Sequence, residues 1–266
     1  MPVLKKIEKR GKVALARFAS LFLGARRKTV DELLRHDPNR ILVIRQHNQM
    51  GDMLLAIPAF RALRKRFPRA RISLVASPIN SAVMENSPFV DEVLVYAKER
   101  NRMNPFRLLR FLNGLRRRRF DLVIVLNTVS FSITSMLLAA LSGARFRIGS
   151  SSSGFGHDLS GRYYHVEMPL PSVEELERMH ESEHNLYPLS VIGAEEDDLR
   201  SLLVPTDREE EEASRLIESY IGSGDPFIVI HPGAGKSQNI WPPGDFAETV
   251  IRLREIRPLG VVAVRG

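Results

Sequence analysis

The sequence has no cysteine among its 266 residues, and none of its apolar runs is long enough to cross a membrane. The lack of cysteine excludes disulfide bonds and thiolate metal sites, and it fits a reducing compartment. A spanning helix needs about 20 consecutive apolar residues. With 44% apolar residues, the chain has enough material for packed cores, and its length suggests one or two domains.

Several common catalytic and nucleotide-binding signatures are also missing. No Gly-x-Gly-x-x-Gly follows the first predicted strand, which argues against a dinucleotide site there. The segment "GAGKS" (233–237) matches part of a Walker loop, but Ile230 stands where that pattern needs a glycine. No Gly-x-Ser-x-Gly or Ser-His-Asp arrangement is present. His180 and His184 are spaced to share a metal ion, but no third ligand is evident, so we predict no metal site.

Positive charge is concentrated at the N-terminus. Residues 1–30 carry nine Lys or Arg and one acid, whereas the rest of the chain carries 30 residues of each sign. The net charge of +8 therefore indicates a basic segment and no nucleic-acid-binding body. Apolar residues recur there at helical spacing, which favours an amphipathic helix on an anionic membrane surface. The alternatives are a helix packed on the protein and a solvated extension. The recurring apolar residues are Leu4, Ile7, Leu15, Phe18 and Phe22.

From residue 41 onwards, short β-branched runs alternate with helical segments. Continuous apolar strands between helices predict an α/β fold with a doubly wound, Rossmann-like parallel sheet. We expect strands at 41–45, 71–77, 92–96, 121–127, 144–149, 226–233 and 259–266. We expect helices at 52–67, 79–86, 105–118, 131–142, 171–193, 207–221 and 244–256. In the helix at 105–118, one face should carry Phe106, Leu109, Leu112 and Leu115.

The alternation restarts near Asp225, which indicates a second α/β unit. Only 42 residues remain from there, so we expect a two-domain protein that is truncated in its second domain. The expected organisation is a basic amphipathic extension (1–38), a Rossmann-like domain (39–193), a linker with a helix (194–224) and the start of a second Rossmann-like domain (225–266).

Two loops are candidates for binding or chemistry. In "RQHNQMGDMLL" (45–55), Gly51 permits a tight turn or the close approach of a ligand, and Asp52 begins a helix. Local physics favours Asp52 as a helix cap, and the alternative is a base or ligand-contacting carboxylate. The loop "HPGAGKSQNIWPPGDF" (231–246) is either a surface loop anchored by Trp241 or a site for a phosphate-bearing ligand.

Taken in order, these segments resemble glycosyltransferase family 9, the heptosyltransferases of lipopolysaccharide core assembly. The resemblance rests on "ILVIRQHNQMGDMLLAIPAFRALRKRFPRARISLVAS", "FDLVIVLN", "LSGARFRIG", "HESEHNLYPLSVIG" and "IVIHPGAGKSQNIWPPGDFAETVIRL". It implies a GT-B architecture of two Rossmann-like domains, with residues 39–193 meeting the acceptor and residues 225–266 beginning the donor-binding domain.

The resemblance also implies an activity. This is the inverting, metal-independent transfer of a heptose-type sugar from a nucleotide sugar, typically ADP-heptose, to a lipid-linked core acceptor, without a cofactor. Asp52 would be the general base, and Asn48, Gln49 and Gly51 would form the acceptor loop. The donor phosphates would be held by Gly233, Ala234, Gly235, Lys236, Ser237, Asn239 and Trp241. Peripheral attachment through residues 1–30 would place the protein on the cytoplasmic face of the membrane.

The sequence departs from the family pattern at two places. The family usually has a lysine shortly before the Trp-Pro pair, where this chain has Asn239, and Lys236 is the nearest lysine. The later Asp-x-Gly…His segment that grips the donor nucleotide is absent before Gly266. An alternative function is therefore a non-catalytic remnant that binds an acceptor or partner but not a nucleotide sugar.

Overall fold

The computed structural model describes residues 2–35, 37–46, 49–97, 104–126, 131–153, 158–222, 224–234 and 237–264, and for residues 2–10 it describes the backbone alone. Contacts between residues divide the chain into two compact units, Met1–Val204 and Pro205–Gly266. We call these unit 1 and unit 2. Unit 1 contains a six-stranded sheet and unit 2 a two-stranded sheet.

The sheet of unit 1 is parallel throughout and has the strand order β3-β2-β1-β4-β5-β6. The strands are β1 Arg40–Ile44, β2 Arg71–Ala76, β3 Glu92–Val95, β4 Leu122–Val125, β5 Phe146–Ser150 and β6 Val166–Met168. The predicted Rossmann-like sheet is confirmed. Strand β6 was not predicted, because a three-residue run interrupted by Glu167 carries too little apolar signal.

Helices cover both faces of this sheet. The helices of unit 1 are α1 Pro2–Leu23, α2 Val30–Leu34, α3 Met50–Leu54, α4 Ile57–Arg66, α5 Pro78–Met84, α6 Pro105–Arg117, α7 Ile133–Leu141, α8 Ser160–Tyr163, α9 Val173–Leu176 and α10 Glu181–Leu186, and a 3-10 segment follows at Tyr187–Ile192. One core contains side chains of α2, α3, α4, α5, α10 and the 3-10 segment. The other core contains side chains of α1, α6, α7 and α8. Because strand residues alternate between these cores, all four residues of β4 are buried.

Two of the predicted helices are broken into shorter pieces. The segment 52–67 forms α3 and α4, and Pro58 lies in the first turn of α4, where a missing backbone donor is tolerated. The segment 171–193 forms α9, α10 and the 3-10 segment instead of one helix. Ser172 and His180 each start a new helix through a capping box, with Glu175 and Glu183 respectively. A proline in the first segment and capping residues in the second are therefore the physical reasons for the breaks.

The basic N-terminal segment packs against unit 1 over part of its length. The hydroxyl of Tyr163 donates to the main-chain oxygen of Ala16 at 2.5 Å. Arg147 donates to the main-chain oxygens of Leu23 at 3.0 Å and Gly24 at 3.2 Å. Ala16 is buried in the core formed with α7 and α8. From Ala16 onwards, α1 therefore forms part of the helical layer on one face of the sheet.

Strand β5 comes unusually close to Tyr164, and this gives a stability prediction. A Cβ atom at Gly149 would overlap the ring of Tyr164, which is fully buried. We therefore expect Gly149→Ala to lower the free energy of unfolding by about 1–3 kcal/mol through overpacking. Urea denaturation followed by circular dichroism measures this change. The matched control is Gly114→Ala in α6, where the added methyl has room and should be neutral or stabilising. Equal stability of the two variants would contradict the packing argument.

Unit 2 has the parallel β-α-β arrangement that the restarted pattern predicts. Its elements are α11 Asp207–Ile221, β7 Phe227–Ile230, a 3-10 turn at Ser237–Asn239, α12 Pro243–Ile256 and β8 Gly260–Ala263. Strands β7 and β8 pair in parallel, with Phe227 opposite Gly260. Helix α11 starts with a capping box between Thr206 and Glu209 and so begins where the predicted helix at 207–221 begins.

Candidate functional site

The strand order of unit 1 reverses between β1 and β4. In open parallel sheets, ligands bind beyond the carboxyl ends of the strands at such a reversal, because the connecting loops diverge there. The segment after β1 leads into α3, and Leu126 directly follows the end of β4. The loop that holds the predicted acceptor residues thus begins at the edge where this architecture binds ligands. A cavity lined by Asp37, Asn39 and Asp121 lies at the opposite edge.

Asp52 occupies the third position of α3 and is partly buried. The N-cap position belongs to Gln49, whose side chain makes no capping hydrogen bond. The interpretation of Asp52 as the helix cap is therefore wrong, because the helix begins earlier, at Met50. A carboxylate in a first turn is still favourable for the helix dipole. Asn48 lies outside the described residues, and Gln49 is exposed next to Met50.

Arg45 is a buried cation at the same edge, with only 2% of its surface exposed. Its Nη2 donates to the main-chain oxygen of Asp52 at 2.9 Å, and its Nη1 donates to the main-chain oxygen of Leu126 at 3.2 Å. One guanidinium therefore ties the end of β4 to α3. Burial lowers the pKa of Arg45 to about 10, while the negative charges of Asp52 and Glu181 act in the opposite direction.

Helix α10 completes the polar cluster. Asn185 is fully buried, and its Nδ2 donates to the main-chain oxygens of Leu55 at 3.3 Å and Glu181 at 2.9 Å. Among the described residues, Arg45 Nε, both amide atoms of Gln46 and Asn185 Oδ1 are buried without a hydrogen-bond partner. Buried polar atoms are normally paired, so such a concentration of unpaired atoms is typical of a site that binds water or a ligand.

Sequence reasoning did not identify Arg45, Gln46, Glu181 or Asn185 as site residues. A signal was present for Arg45, because it ends a run that was predicted to be a buried strand. A buried charge is costly unless it has partners, so an arginine at the end of a predicted buried strand indicates a position with a functional role. Glu181 and Asn185 gave no comparable signal, since they reach the site only through the packing of α10 on α4.

Gly51 has no structural need to be glycine. It lies in α3 outside the left-handed backbone region, and a Cβ atom there would meet nothing within 4 Å. The tight turn expected at Gly51 is therefore absent, and the close approach of a ligand stays a prediction. We expect Gly51→Ala to raise the free energy of unfolding by about 0.5–1 kcal/mol, because alanine is the better helix former.

The same substitution should weaken binding of an acceptor that approaches the backbone at Gly51. Parallel denaturation and acceptor titration measure the two effects, with Gly11→Ala in α1 as a control that also adds an unobstructed methyl to a helix. Unchanged acceptor affinity would show that no ligand comes close to this position.

The second predicted loop lies in unit 2 and is described in part. Gly233 and Ala234 are exposed after β7, and Nδ1 of His231 lies 2.9 Å from the main-chain oxygen of Gly233. Gly235 and Lys236 lie outside the described residues. Ser237 and Asn239 share one 3-10 turn, closed by a hydrogen bond from the Ile240 nitrogen to the Ser237 oxygen at 3.1 Å.

Trp241 follows this turn and packs against one aromatic neighbour. Its ring centroid lies 4.8 Å from that of Phe246, at an interplanar angle of 71°. Trp241 is nevertheless exposed, so one side of the indole stays accessible. Helix α12 starts without a side-chain cap, which leaves backbone donors at its first turn, although Asp245 also lies there. The loop thus combines exposed backbone, polar side chains and an aromatic surface.

His180 and His184 have structural partners in α10. His180 is the N-cap, and its Nδ1 accepts a hydrogen bond from the Ser182 nitrogen at 3.2 Å. Nδ1 of His184 lies 2.8 Å from Glu181 Oε2, and its Nε2 lies 3.1 Å from the main-chain oxygen of Leu176. Within the described part of the chain, no group of three or more His, Asp or Glu side chains could hold a metal ion.

Neither a protein-family model nor a curated protein matches this sequence. Solved structures do match the fold. A family 9 glycosyl transferase from Veillonella parvula DSM 2008 aligns with a TM-score of 0.69 at 21% identity, over 85% of this chain and 62% of that one. E. coli ADP-heptose lps heptosyltransferase II aligns with a TM-score of 0.60 at 22% identity, over 84% and 63%.

A third similar structure contains an ADP-linked sugar. E. coli heptosyltransferase WaaC with ADP-2-deoxy-2-fluoro heptose aligns with a TM-score of 0.62 at 15% identity, over 85% of this chain and 69% of that one. The chain spans a little over three fifths of the length of the first two structures. At these identities the likeness concerns the fold, and at that level the predicted resemblance is confirmed. The chain has the fold found in glycosyltransferase family 9 and in the heptosyltransferases.

Proposed function

We propose that this chain is part of an inverting, metal-independent glycosyltransferase that moves a heptose-type sugar from a nucleotide sugar to a lipopolysaccharide-core-like acceptor. The observation that carries the proposal is the position of Asp52 at the reversal point of the sheet. Asp52 lies there beside the buried Arg45, which donates to its main-chain oxygen, in a fold shared with heptosyltransferases. The likeness to a structure holding an ADP-linked fluoro-heptose supports ADP-heptose as the donor to test first.

Asp52 acts as the general base in this proposal. The acceptor hydroxyl oxygen attacks the anomeric carbon of the donor, and its proton passes to the Asp52 carboxylate. The bond between the anomeric carbon and the diphosphate oxygen breaks at the same time, and the nucleoside diphosphate leaves. A single displacement inverts the anomeric configuration, and no covalent sugar-enzyme intermediate is needed. Asn48, Gln49 and Gly51 line the acceptor side in this proposal.

The donor diphosphate is assigned to the loop of unit 2. Backbone donors near Gly233, Ala234 and Gly235, with Lys236, Ser237 and Asn239, suit an anionic diphosphate leaving group, and Trp241 offers a surface for stacking. Charge stabilisation of this kind replaces a metal ion, so neither metal nor cofactor is required. The acceptor is lipid-linked in this proposal, and residues 1–30 attach the protein peripherally to the cytoplasmic face of the membrane.

Three measurements on the chain test this function. Calorimetric titration with ADP-heptose should show binding, and addition of a heptose-deficient lipopolysaccharide core should release ADP at a rate unaffected by EDTA. NMR of the product should show an inverted anomeric centre. Binding of the core acceptor without binding of ADP-heptose would instead support the alternative function, a remnant that holds an acceptor or partner. Retained configuration or loss of activity in EDTA would contradict the proposed mechanism.

A further inference from the structure

Helix α6 exposes apolar residues that its sequence pattern assigns to the core. Leu112 and Leu115 are buried as predicted, but Phe106 is 80% exposed and Leu109 is 56% exposed. The reason is geometric. The side of α6 that contacts the core carries Leu108, Phe111, Leu112 and Leu115. Phe106 lies on the opposite side of the helix. Phe106 and Leu109 thus add exposed apolar surface next to the exposed Arg107 and Arg110.

Helix α1 has a second surface of the same kind. Its inner side carries Ala16, which is buried, and its outer side carries Phe18 and Phe22, which are 62% and 79% exposed. The two phenylalanine rings contact each other edge-on, with centroids 6.0 Å apart. Leu15 and Leu21 are also exposed. The helix therefore buries one narrow stripe in the protein and leaves a larger apolar stripe in solvent.

Helices α1 and α6 belong to one layer, with α7 between them. Both contact α7, and all three contribute to the same core on one face of the sheet. Arg116 of α6 donates to the main-chain oxygen of Leu141 in α7 at 3.0 Å, and Leu109 lies two turns earlier on that flank of α6. The apolar surfaces of α6 and α1 therefore lie on either side of α7.

The charge of this layer has one sign. Together, the three helices contain ten Lys or Arg and a single acid, Glu8, and α7 contains no charged residue. Among the described exposed arginines, Arg17 pairs with Asp158, whereas no ion pair is formed by Arg107, Arg110 or Arg117. Basic residues around exposed phenylalanine and leucine are the pattern that binds anionic lipid surfaces.

We propose that the outer surface of α1, α7 and α6, which we call the basic layer, binds an anionic lipid bilayer. This inference rests on the proposed function and extends its membrane contact, which involved residues 1–30 alone, to a second helix far away in the sequence. The phenylalanine and leucine side chains insert at the level of the headgroups, and the arginines neutralise lipid phosphates.

The orientation of the two helices connects the basic layer with the candidate site. Helix α6 follows β3 and so begins at the carboxyl edge of the sheet, the edge that holds Arg45 and Asp52. Helix α1 runs towards the amino edge, since Ala16 contacts Tyr163 and Leu23 contacts Arg147 near the start of β5. Helix α6 therefore begins at the edge of the site, where a bilayer would present a lipid-linked acceptor, and α1 runs in the same direction.

Vesicle flotation of the full chain tests the inference. Wild-type protein should float with vesicles of phosphatidylcholine and phosphatidylglycerol, and binding should fall as salt is added. The double variant Arg107→Glu/Arg110→Glu should bind at least about tenfold more weakly, because each basic residue near an anionic surface contributes measurably to binding. The variant Phe106→Ser/Leu109→Ser should also lose binding. The matched control is Arg69→Glu/Val173→Ser, which changes an exposed arginine and an exposed apolar residue outside the three helices.

Each result bears on the inference. Wild-type affinity in both α6 variants would overturn it, as would equal binding of wild type to vesicles of phosphatidylcholine alone. The inference would also be overturned if wild type did not bind vesicles and instead formed a dimer through this surface. The α6 variants would then abolish that dimer. Thermal melts check that the variants are folded. Transfer to a lipid-free core acceptor should be unchanged in the α6 variants. If wild type floats but transfers no sugar, the proposed function fails and the basic layer stands.

Discussion

Replacing Asp52 with asparagine is expected to lower the rate of sugar transfer by about a hundred- to ten-thousand-fold, which is the usual contribution of a general base. Asparagine keeps the size and much of the polarity of aspartate, but it cannot accept the proton of the acceptor hydroxyl. The KM for ADP-heptose should stay within about threefold of wild type, because the base acts on the acceptor in the transition state. Steady-state release of ADP at saturating acceptor measures both parameters.

A second carboxylate provides a matched control for this substitution. Asp31 lies in the first turn of α2, which like α3 has five residues, and it takes no part in the capping box of that helix. Asp31→Asn therefore removes a first-turn charge of the same kind in a place remote from the carboxyl edge. Wild-type transfer is expected for it. Comparable losses in the two variants would mean that Asp52 acts on helix stability, and unchanged transfer in Asp52→Asn would refute its role as the base.

Replacing Arg45 with methionine is expected to separate stability from activity. Transfer should fall by about a hundredfold, because the guanidinium ties α3 to the end of β4, and small displacements of a reacting group cost about this much. The free energy of unfolding should change by no more than about 3 kcal/mol, because two contributions of similar size oppose each other. Denaturation with urea and transfer assays on the same preparation measure the two quantities.

The small change in stability follows from two opposing contributions. Burial lowers the pKa of Arg45 from its usual range to about 10. This shift corresponds to roughly 3 kcal/mol against the charged form in the folded state, so removing the charge is favourable. The pKa is lower in the folded than in the unfolded state, so this cost is fully present below pH 10 and disappears only as pH rises above that value. Against it, methionine leaves the oxygens of Leu126 and Asp52 without their donor, at about 1–3 kcal/mol each.

Arg45→Lys distinguishes the geometry of the guanidinium from its charge. Lysine retains the positive charge near Asp52 and Glu181 but cannot hold two carbonyl oxygens in a fixed fork. Transfer should therefore remain well below wild type in the lysine variant. Full activity in Arg45→Lys would show that charge alone matters. A loss of activity that merely follows the unfolded fraction in Arg45→Met would remove Arg45 from the functional site.

Much of the fold could be predicted from local pattern. The continuous apolar runs of β1, β2 and β4 are buried on both faces, and such runs have few interpretations other than a parallel sheet between helices. Because parallel strands all present their carboxyl ends on one side, the order of strand, Gly51 and Asp52 predicts that this carboxylate lies at the carboxyl edge of the sheet, and α3 begins there after β1.

The polar surroundings of Asp52 could not be predicted, because they come from distant parts of the chain. Arg45 reaches Leu126, 81 residues away, and Asn185 reaches Leu55, 130 residues away. Neither contact produces a periodic pattern in the sequence.

The exposure of Phe106 could not be predicted for a different reason. Its spacing from Leu109, Leu112 and Leu115 is helical, but spacing alone does not say how wide a stripe the core covers. On the structure, the core covers only part of the apolar surface.

The docking of α1 on unit 1 imposes two independent kinds of evolutionary constraint on one helix. Ala16, Leu23 and Gly24 accept hydrogen bonds or pack inside the unit, so removing residues 1–30 would leave the Tyr163 hydroxyl and the Arg147 guanidinium without partners. Substitution at Ala16 should therefore be selected against through folding alone. The side chains of Phe18 and Phe22 point away from that packing and are mostly exposed. Substitutions at these two positions should therefore be limited only by what the outer surface binds. The tolerance of α1 to substitution should therefore follow the helical period, with folding limiting it on the inner side and binding limiting it on the outer side.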